Sequence, residues 1–296
     1  MKKILILGGN GFVGKNLQDF FAHYSTDYQI DAPSSKELNL IDELSVRLFL
    51  KDKYYDVIIH AAICNPLRLS NGILYNELND NLRMFFNVAE RKESYGKMLY
   101  FGSGAEYDKS MPISGVNEEV FCNGIPHNDY GLAKYIIGKQ IEFSENIYNL
   151  RIFGLFGKYE NWRTTFISGA CCKALKGLPI TIRQNVFFDY LFIDDFCKII
   201  KWFIDNKGKY RSYNITSGKK RDLVSIAQVV KKVCNSDVPI YVCKEGLANE
   251  YTADNQRLLL ELKEFQFTEF EQAVSQLAKY YKDNINQIDI YSLLYQ

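Results

Sequence analysis

"KILILGGNGFVGKNL", Lys3–Leu17, sets an unbroken apolar run against a glycine triplet and then a helix-like segment. "KILIL" reads as a buried strand, because it lacks the polar alternation of a half-exposed one. Gly8, Gly11 and Gly14 follow in GxxGxxG spacing, between that strand and the helix "GKNLQDFFAHY". Glycines there permit a tight turn and close backbone approach. The helix amino end then offers N–H groups and a positive dipole to a pyrophosphate. The expectation is a dinucleotide loop. A turn that merely collects glycines is the competing reading.

Working outward, the same alternation continues. "YQIDAP", "DVIIHAA" and "KMLYFGS" read as strands, and "YNLRIFGLFG" as a strand entering a loop. "DELSVRLFLKDK", "NDNLRMFFNVAERKESY" and "YGLAKYIIGKQIEFSE" between them read as helices. Strand and helix in series imply right-handed crossovers and a parallel sheet covered on both faces. The expected class is α/β: a Rossmann-type doubly wound parallel sheet with a smaller mixed α/β substrate-binding lobe. The division expected is 1–157 for the dinucleotide-binding part and 158–296 for the substrate lobe, with segments near 190–217 returning to the sheet.

The chain of 296 residues is long enough for a full core, and its net charge of +1 supports no nucleic-acid or membrane-surface role. Seven cysteines are scattered without CxxC pairs, which reads as reduced thiols in a cytoplasmic protein. Three histidines with no ligand spacing argue against a metal site. The apolar run at the N-terminus stops at Gly8, too short for a signal peptide, and no later run spans a bilayer.

Of 21 tyrosines, two have a lysine four residues later: Tyr130/Lys134 and Tyr135/Lys139. That step puts both side chains on one helix face. Tyr130 has the small neighbours Gly131 and Ala133, which would let its helix lie close to a cofactor. Tyr135 is followed by Ile136 and Ile137, which suit packing. A free phenol has a pKa near ~10, and a neighbouring ammonium brings it towards the working range. Tyr130 and Lys134 are therefore the expected acid–base pair, with Ser103 orienting a substrate carbonyl or alcohol. Asp31 lies early for an adenosine-ribose partner. Ser34, Ser35 and Lys36 stand where a ribose phosphate would bind, a slight lean to NADP(H) over NAD(H); a solvated turn is the plain alternative.

"GGNGFVG", "DVIIHAA", "GSGAEY" and "YGLAK" in this order resemble the extended short-chain dehydrogenase/reductases that act on nucleotide sugars. The likeness continues through "LRIFGLFG", "FDYLFIDD", "YNITSG" and "DNQRLLLEL", nearest the GDP-fucose synthase and dTDP-4-dehydrorhamnose reductase branch. The resemblance implies a catalytic triad of Ser103, Tyr130 and Lys134. It implies a pyrophosphate loop of Gly8, Gly11 and Gly14, lined by Asn10, Phe12 and Val13. Asn39 and Leu40 match the adenine edge, and Ala61, Ala62 and Ile152 the strand ends beside the cofactor. His60 is implied as a structural or supporting residue. A homodimer through paired helices is the family expectation.

The departures narrow the chemistry. Family dehydratases carry an Asp-Glu pair after the triad hydroxyl, where this chain has Gly104 and Ala105. Glu106 comes one residue late, and in an extended segment it would face away. Family enzymes that also epimerise use a Cys and a His, matched here by Ala105 and Tyr159. The arginine that often grips the diphosphate is Phe188, and Gly154 replaces an asparagine. Candidates on the substrate side are Ser103, Gly104, Ala105, Asn161, Arg163, Lys173, Arg183 and Arg257. The reading is reduction of a nucleotide-linked 4-keto-6-deoxy sugar, without dehydration or epimerisation, for surface-polysaccharide synthesis. Alternatives are a C4 epimerase with tightly held NAD and a catalytically silent dinucleotide-binding sensor.

Overall fold

The computed structural model describes residues 1–64, 76–110 and 112–294. The first part runs β1 (Lys2–Leu7), α1 (Phe12–Ala22), β2 (Tyr28–Asp31), α2 (Glu43–Leu50), β3 (Tyr55–His60), α3 (Glu77–Ala89) and β4 (Tyr95–Ser103). It continues through β5 (Ile113–Val116), α4 (Asp129–Glu142), β6 (Ile147–Ile152), β7 (Gly154–Phe156), α5 (Phe166–Leu175), β8 (Ile180–Asn185), β9 (Phe187–Phe192), α6 (Ile193–Asp205) and β10 (Ser212–Ile215). The last part holds β11 (Lys220–Asp222), α7 (Leu223–Cys234), β12 (Ile240–Leu247), β13 (Tyr251–Ala253), α8 (Gln256–Leu262), α9 (Phe270–Asp283) and α10 (Ile290–Leu294).

Six strands form one sheet in the order β10-β6-β4-β3-β1-β2, with every neighbouring pair parallel. The apolar run of β1 feeds both faces. Ile4 and Ile6 join Val57, Ile59, Leu99 and Phe101 on one side, under Leu17 and Phe21 of α1 and Phe196 and Phe203 of α6. Leu5 and Leu7 join Ile58, Met98 and Tyr100 on the other, under α2, α3 and α4. A sheet covered on both faces needs no polar alternation, which accounts for the sequence pattern. Truncating Ile6, which is fully buried, to alanine would cost about 2–5 kcal/mol.

Strand order reverses beside β1: the chain goes to β2 on one side and to β3, β4, β6 and β10 on the other. Ligands of open parallel sheets bind outside the carboxyl ends at such a reversal. This is the doubly wound Rossmann arrangement.

A second sheet has the order β11-β9-β13-β5, with β7 on β9. Its strand β13 runs parallel to both neighbours, with Tyr251 opposite Ile113 on one side and Phe188 on the other. Helices α5, α7 and α9 pack together through Ile167, Ala170, Ile226, Val230, Val274 and Leu277, continuous with the core under α1 and α6. Within residues 190–217, β10 pairs in the parallel sheet and α6 covers it, whereas β9 lies in the second sheet. All seven cysteines are free thiols. Among the described residues, no helix is long and apolar enough to cross a membrane. No group of three or more His, Cys, Asp or Glu side chains could hold a metal ion among them.

Candidate active site

The glycine loop turns from β1 into α1 at the strand-order reversal. Gly8 has φ +87°, and a Cβ on it would lie 2.7 Å from the Ala62 nitrogen and 2.9 Å from the Ala61 carbonyl carbon. Position 8 therefore excludes a side chain by conformation and by space. Gly14, in the first turn of α1, would bring a Cβ to 2.3 Å from the Gly8 oxygen. Gly11 donates its N–H to that oxygen at 3.0 Å and begins α1 without a capping side chain or an acid in the first turn. The helix amino end therefore presents backbone N–H groups and its positive dipole to an anion. These glycines leave the close-approach surface that a dinucleotide pyrophosphate requires, so the loop fits such a cofactor. Asn10 is exposed at the turn.

Next to the loop opens a cleft of about 390 Å³. Gly8, Gly11, Phe12, Val13, Gly14, Ala61 and Ile152 line it, as do Ser103, Tyr130, Lys134 and Asn161. Residues far apart in sequence are thus brought to one surface. Tyr130 and Lys134 sit one turn apart on α4, which starts at Asn128; its side chain accepts the Gly131 N–H at 2.7 Å. The Lys134 side chain is buried, donates to the Phe101 carbonyl at 2.7 Å, and lies 4.4 Å from the Tyr100 ring centre and 5.9 Å from that of Tyr130. A Cβ on Gly131 would lie 2.8 Å from the Ala105 oxygen, so the glycine lets α4 pack on the turn after Ser103.

Ser103 is the last residue of β4 and caps a single 3₁₀ turn, Gly104–Glu106. Its Oγ accepts the Ala105 N–H at 3.1 Å, and its own N–H donates to Glu106 Oε1 at 3.0 Å, a reciprocal capping box. Glu106 is fully buried and its Oε2 accepts from Arg151 Nε at 2.6 Å and Asn149 Nδ2 at 2.8 Å. The late acid is turned inward, but not by an extended strand. A 3₁₀ turn aims it at Arg151, whose guanidinium also stacks 4.1 Å from the Phe121 ring centre.

Several expected residues lie elsewhere. Asp31 accepts a 2.6 Å bond from the Tyr55 hydroxyl. Ser34 gives both its N–H and its hydroxyl to Glu37, while Ser35 and Lys36 are exposed. Asn39 closes a local turn on Ile41, and Leu40 is buried in the core beneath α2 and α3. Ala62 backs Gly8, and Gly104 and Ala105 form the capped turn. His60 is buried between β3 and α3, with Nε2 3.1 Å from the Met84 carbonyl; burial holds its imidazole down to about 4.

The basic candidates do not gather at the cleft. Lys173 donates to Thr181 Oγ1 at 2.8 Å, bracing α5 against β8. Arg257 stacks 4.4 Å from the Tyr210 ring centre and reaches Glu118 at 3.6 Å. Arg183 is exposed on β8. Arg163 is exposed on the loop carrying Asn161, stacked on Trp162 at 4.1 Å. Tyr159 lines the cleft but donates its hydroxyl to Asp19 of α1 at 2.9 Å. Tyr135 packs against Phe121, away from the cleft.

The sequence reading missed Ile63, Phe101, Gly102, Phe153, Leu155, Glu160, Thr164 and Thr165, which also line the cleft. It also missed Tyr251, whose hydroxyl reaches the turn after Ser103, where a Cβ on Gly104 would lie 2.4 Å from it. Thr164 and Thr165 were within reach, being close to Asn161 in sequence. Tyr251 carried no local signal.

A parallel-sheet crevice with a pyrophosphate loop and a Ser/Tyr/Lys-lined wall defines an NAD(P)-dependent oxidoreductase of the extended short-chain type. The chain belongs to the NAD dependent epimerase/dehydratase family, whose model matches residues 4–216. It is 28% identical over 255 residues to GDP-L-colitose synthase of Yersinia pseudotuberculosis, covering 78% of this chain and 82% of that protein. In fold it is similar to a GDP-L-fucose synthetase from Naegleria fowleri bound to NADP, with TM-score 0.84, 18% identity, and coverage of 96% and 94%. It is also similar to a GDP-mannoheptose C4 reductase from Campylobacter jejuni with NADP bound, with TM-score 0.78, 17% identity, and coverage of 95% and 98%.

Proposed function

We propose that this protein reduces the C4 carbonyl of a nucleotide-diphosphate-linked 4-keto-6-deoxy sugar, without removing water or inverting neighbouring carbons. The observation that carries the reading is one cleft lined by the glycine loop, Ser103, Tyr130 and Lys134, while the acid nearest to Ser103 in sequence is bound to Arg151. The related colitose synthase is named for a GDP-linked sugar, which supports the substrate class.

When bound, the dinucleotide supplies hydride to the carbonyl carbon. Tyr130 gives its phenolic proton to the oxygen as that oxygen gains charge, so that one hydride and one proton complete the alcohol. Ser103, whose Oγ already accepts from Ala105, has its hydroxyl proton to donate to the same oxygen. Lys134, fixed by the Phe101 carbonyl, stabilises the tyrosinate left behind. Glu106, the acid nearest to Ser103 in sequence, is committed to Arg151 and Asn149, so it takes no proton from the carbons beside the ketone.

The proposal extends to a slight preference for NADP(H) over NAD(H). Asp31, the acid at the end of β2, is engaged by Tyr55, and Lys36 is exposed nearby; the Glu37 carboxylate on Ser34 keeps the preference small. It extends also to a cytoplasmic homodimer through α3 and α4, working in surface-polysaccharide synthesis. Sedimentation of the purified protein checks the dimer.

An NMR time course in deuterated water, with NADPH or NADH and a panel of nucleotide 4-keto-6-deoxy sugars, tests the reaction. The expected product has no deuterium at the carbons flanking C4 beyond a no-enzyme control. Enzyme-dependent deuterium there overturns the reading in favour of an epimerising reductase. Oxidised cofactor retained through purification, with C4 inversion and no net reduction, replaces it by an epimerase.

A further inference from the structure

Gly104 is bare because its space is taken. A Cβ at that position would lie 2.4 Å from the Tyr251 hydroxyl oxygen and 2.8 Å from the Phe153 ring. Tyr251 comes from β13, some 150 residues after Ser103 in the chain. Its ring stands 5.1 Å from Phe153 at 38° and 5.9 Å from Phe188 at 68°, with Lys109 Nζ 4.2 Å from the ring centre. Phe153 lines the cleft, so Tyr251 forms the layer behind that wall. Phe188, where the family resemblance leads one to expect an arginine, belongs to the same aromatic stack.

We propose that Tyr251 is a positioning residue for the hydride-transfer reaction: from behind the cleft it holds the Ser103 hydroxyl in the orientation that receives the substrate oxygen. This rests on the reductase reading given above. A serine hydroxyl has one proton and two lone pairs, and its rotor turns to suit its neighbours. One lone pair of Ser103 is fixed by the Ala105 N–H, and Gly102 and Gly104 on either side offer no side chain to restrict the rest. The phenol, clamped between two rings on a strand paired on both sides, supplies the missing restraint. Burial raises the Tyr251 phenol far above the ordinary range for tyrosine, so it stays a neutral hydroxyl and is no rival to Tyr130 as a proton source. Preorganised donors gain their effect by not having to reorient during reaction.

Four proteins test this: wild type, Tyr251→Phe, Ser103→Ala and the double variant, each assayed for NADPH-dependent turnover of the sugar panel. Tyr251→Phe keeps the ring stack. It is expected to lower kcat about tenfold, the scale of one hydrogen bond, with KM and NADPH affinity within about twofold. On the Ser103→Ala background the same change is expected to cost nothing further in kcat, because the hydroxyl it orients is gone. A wall that merely supports the fold would shift thermal stability and leave the kcat coupling at zero. Wild-type kcat in Tyr251→Phe, or an equal further loss on the Ser103→Ala background, overturns the proposal. If wild type turns over none of the panel, the reductase reading falls. Tyr251 is then judged by the same cycle in thermal unfolding: non-additive losses support its hold on Ser103, and additive losses overturn it.

Discussion

At the glycine-loop end of the cleft, one continuous stretch from Gly8 to Gly14 does the shaping, and it does so with backbone. At the Ser103 end, the surface is assembled from β4, α4, the loop through Asn161 and, behind them, β13. The first end is made by leaving side chains out. The second is made by side chains converging from four parts of the chain. Damage should therefore differ: at Gly8 and Gly14 any added atom is harmful, while at Ser103 the identity of single polar groups decides the outcome.

The largest contrast is expected from Tyr130→Phe. Loss of a positioned general acid should lower kcat about 10²–10⁴-fold while NADPH binding and thermal stability stay near wild type. Turnover within tenfold of wild type would move the proton source elsewhere. Next comes Glu106→Ala, which leaves the fully buried Arg151 guanidinium only the looser Glu142 pair at 3.7 Å and should cost about 3–5 kcal/mol in urea unfolding. A loss under about 1 kcal/mol would show the pair to be dispensable to the Ser103 turn. Gly14→Ala tests the other end. Its Cβ meets the Gly8 oxygen at 2.3 Å, so the loop must shift, and NADPH affinity by fluorescence titration should fall about tenfold or more, ~1.4 kcal/mol. Unchanged affinity would break the claim that the loop works by omission.

The smallest effect concerns His60, beside the cleft but committed to the core. Burial lowers its folded pKa to about 4, below the free value of 6.5. The unfolded chain therefore binds the extra proton first as pH falls. The neutral imidazole's contribution is complete above 6.5 and is lost between 6.5 and 4, by about 1 kcal/mol over the first unit. His60→Gln should flatten the stability profile between pH 6.5 and 5.5, and an unchanged slope there would assign it to other groups.

The same contrast explains what could be read from the sequence. The strand–helix alternation and the glycine loop are local patterns, so β1, α1 and the parallel sheet were legible from "KILILGGNGFVGKNL" onward. The Tyr130/Lys134 pair was legible because a helix repeats every 3.6 residues and puts both on one face. The short strands β5, β11 and β13 were not, since their residues take meaning only from their partners across the sheet. Lys173 and Arg257 show the reverse error. A positive charge in sequence says nothing of whether Thr181 or Glu118 already claims it. Glu106 was read to the right side for the wrong reason, because one 3₁₀ turn and one extended step both divert a side chain.

Strand β13 also sets a clock. The glycine loop leaves the ribosome among the first fifteen residues, whereas Tyr251 follows more than 230 residues later, roughly ten to fifty seconds at ordinary elongation rates. β13 lies between β5, which follows Ser103, and β9, so both must wait for it before their sheet can close. A growing chain therefore completes the segments of its nucleotide loop long before it can brace the serine that would receive a substrate. Premature termination between β10 and β13 leaves a polypeptide with all six strands of the parallel sheet in its sequence and no phenol behind the turn that follows Ser103.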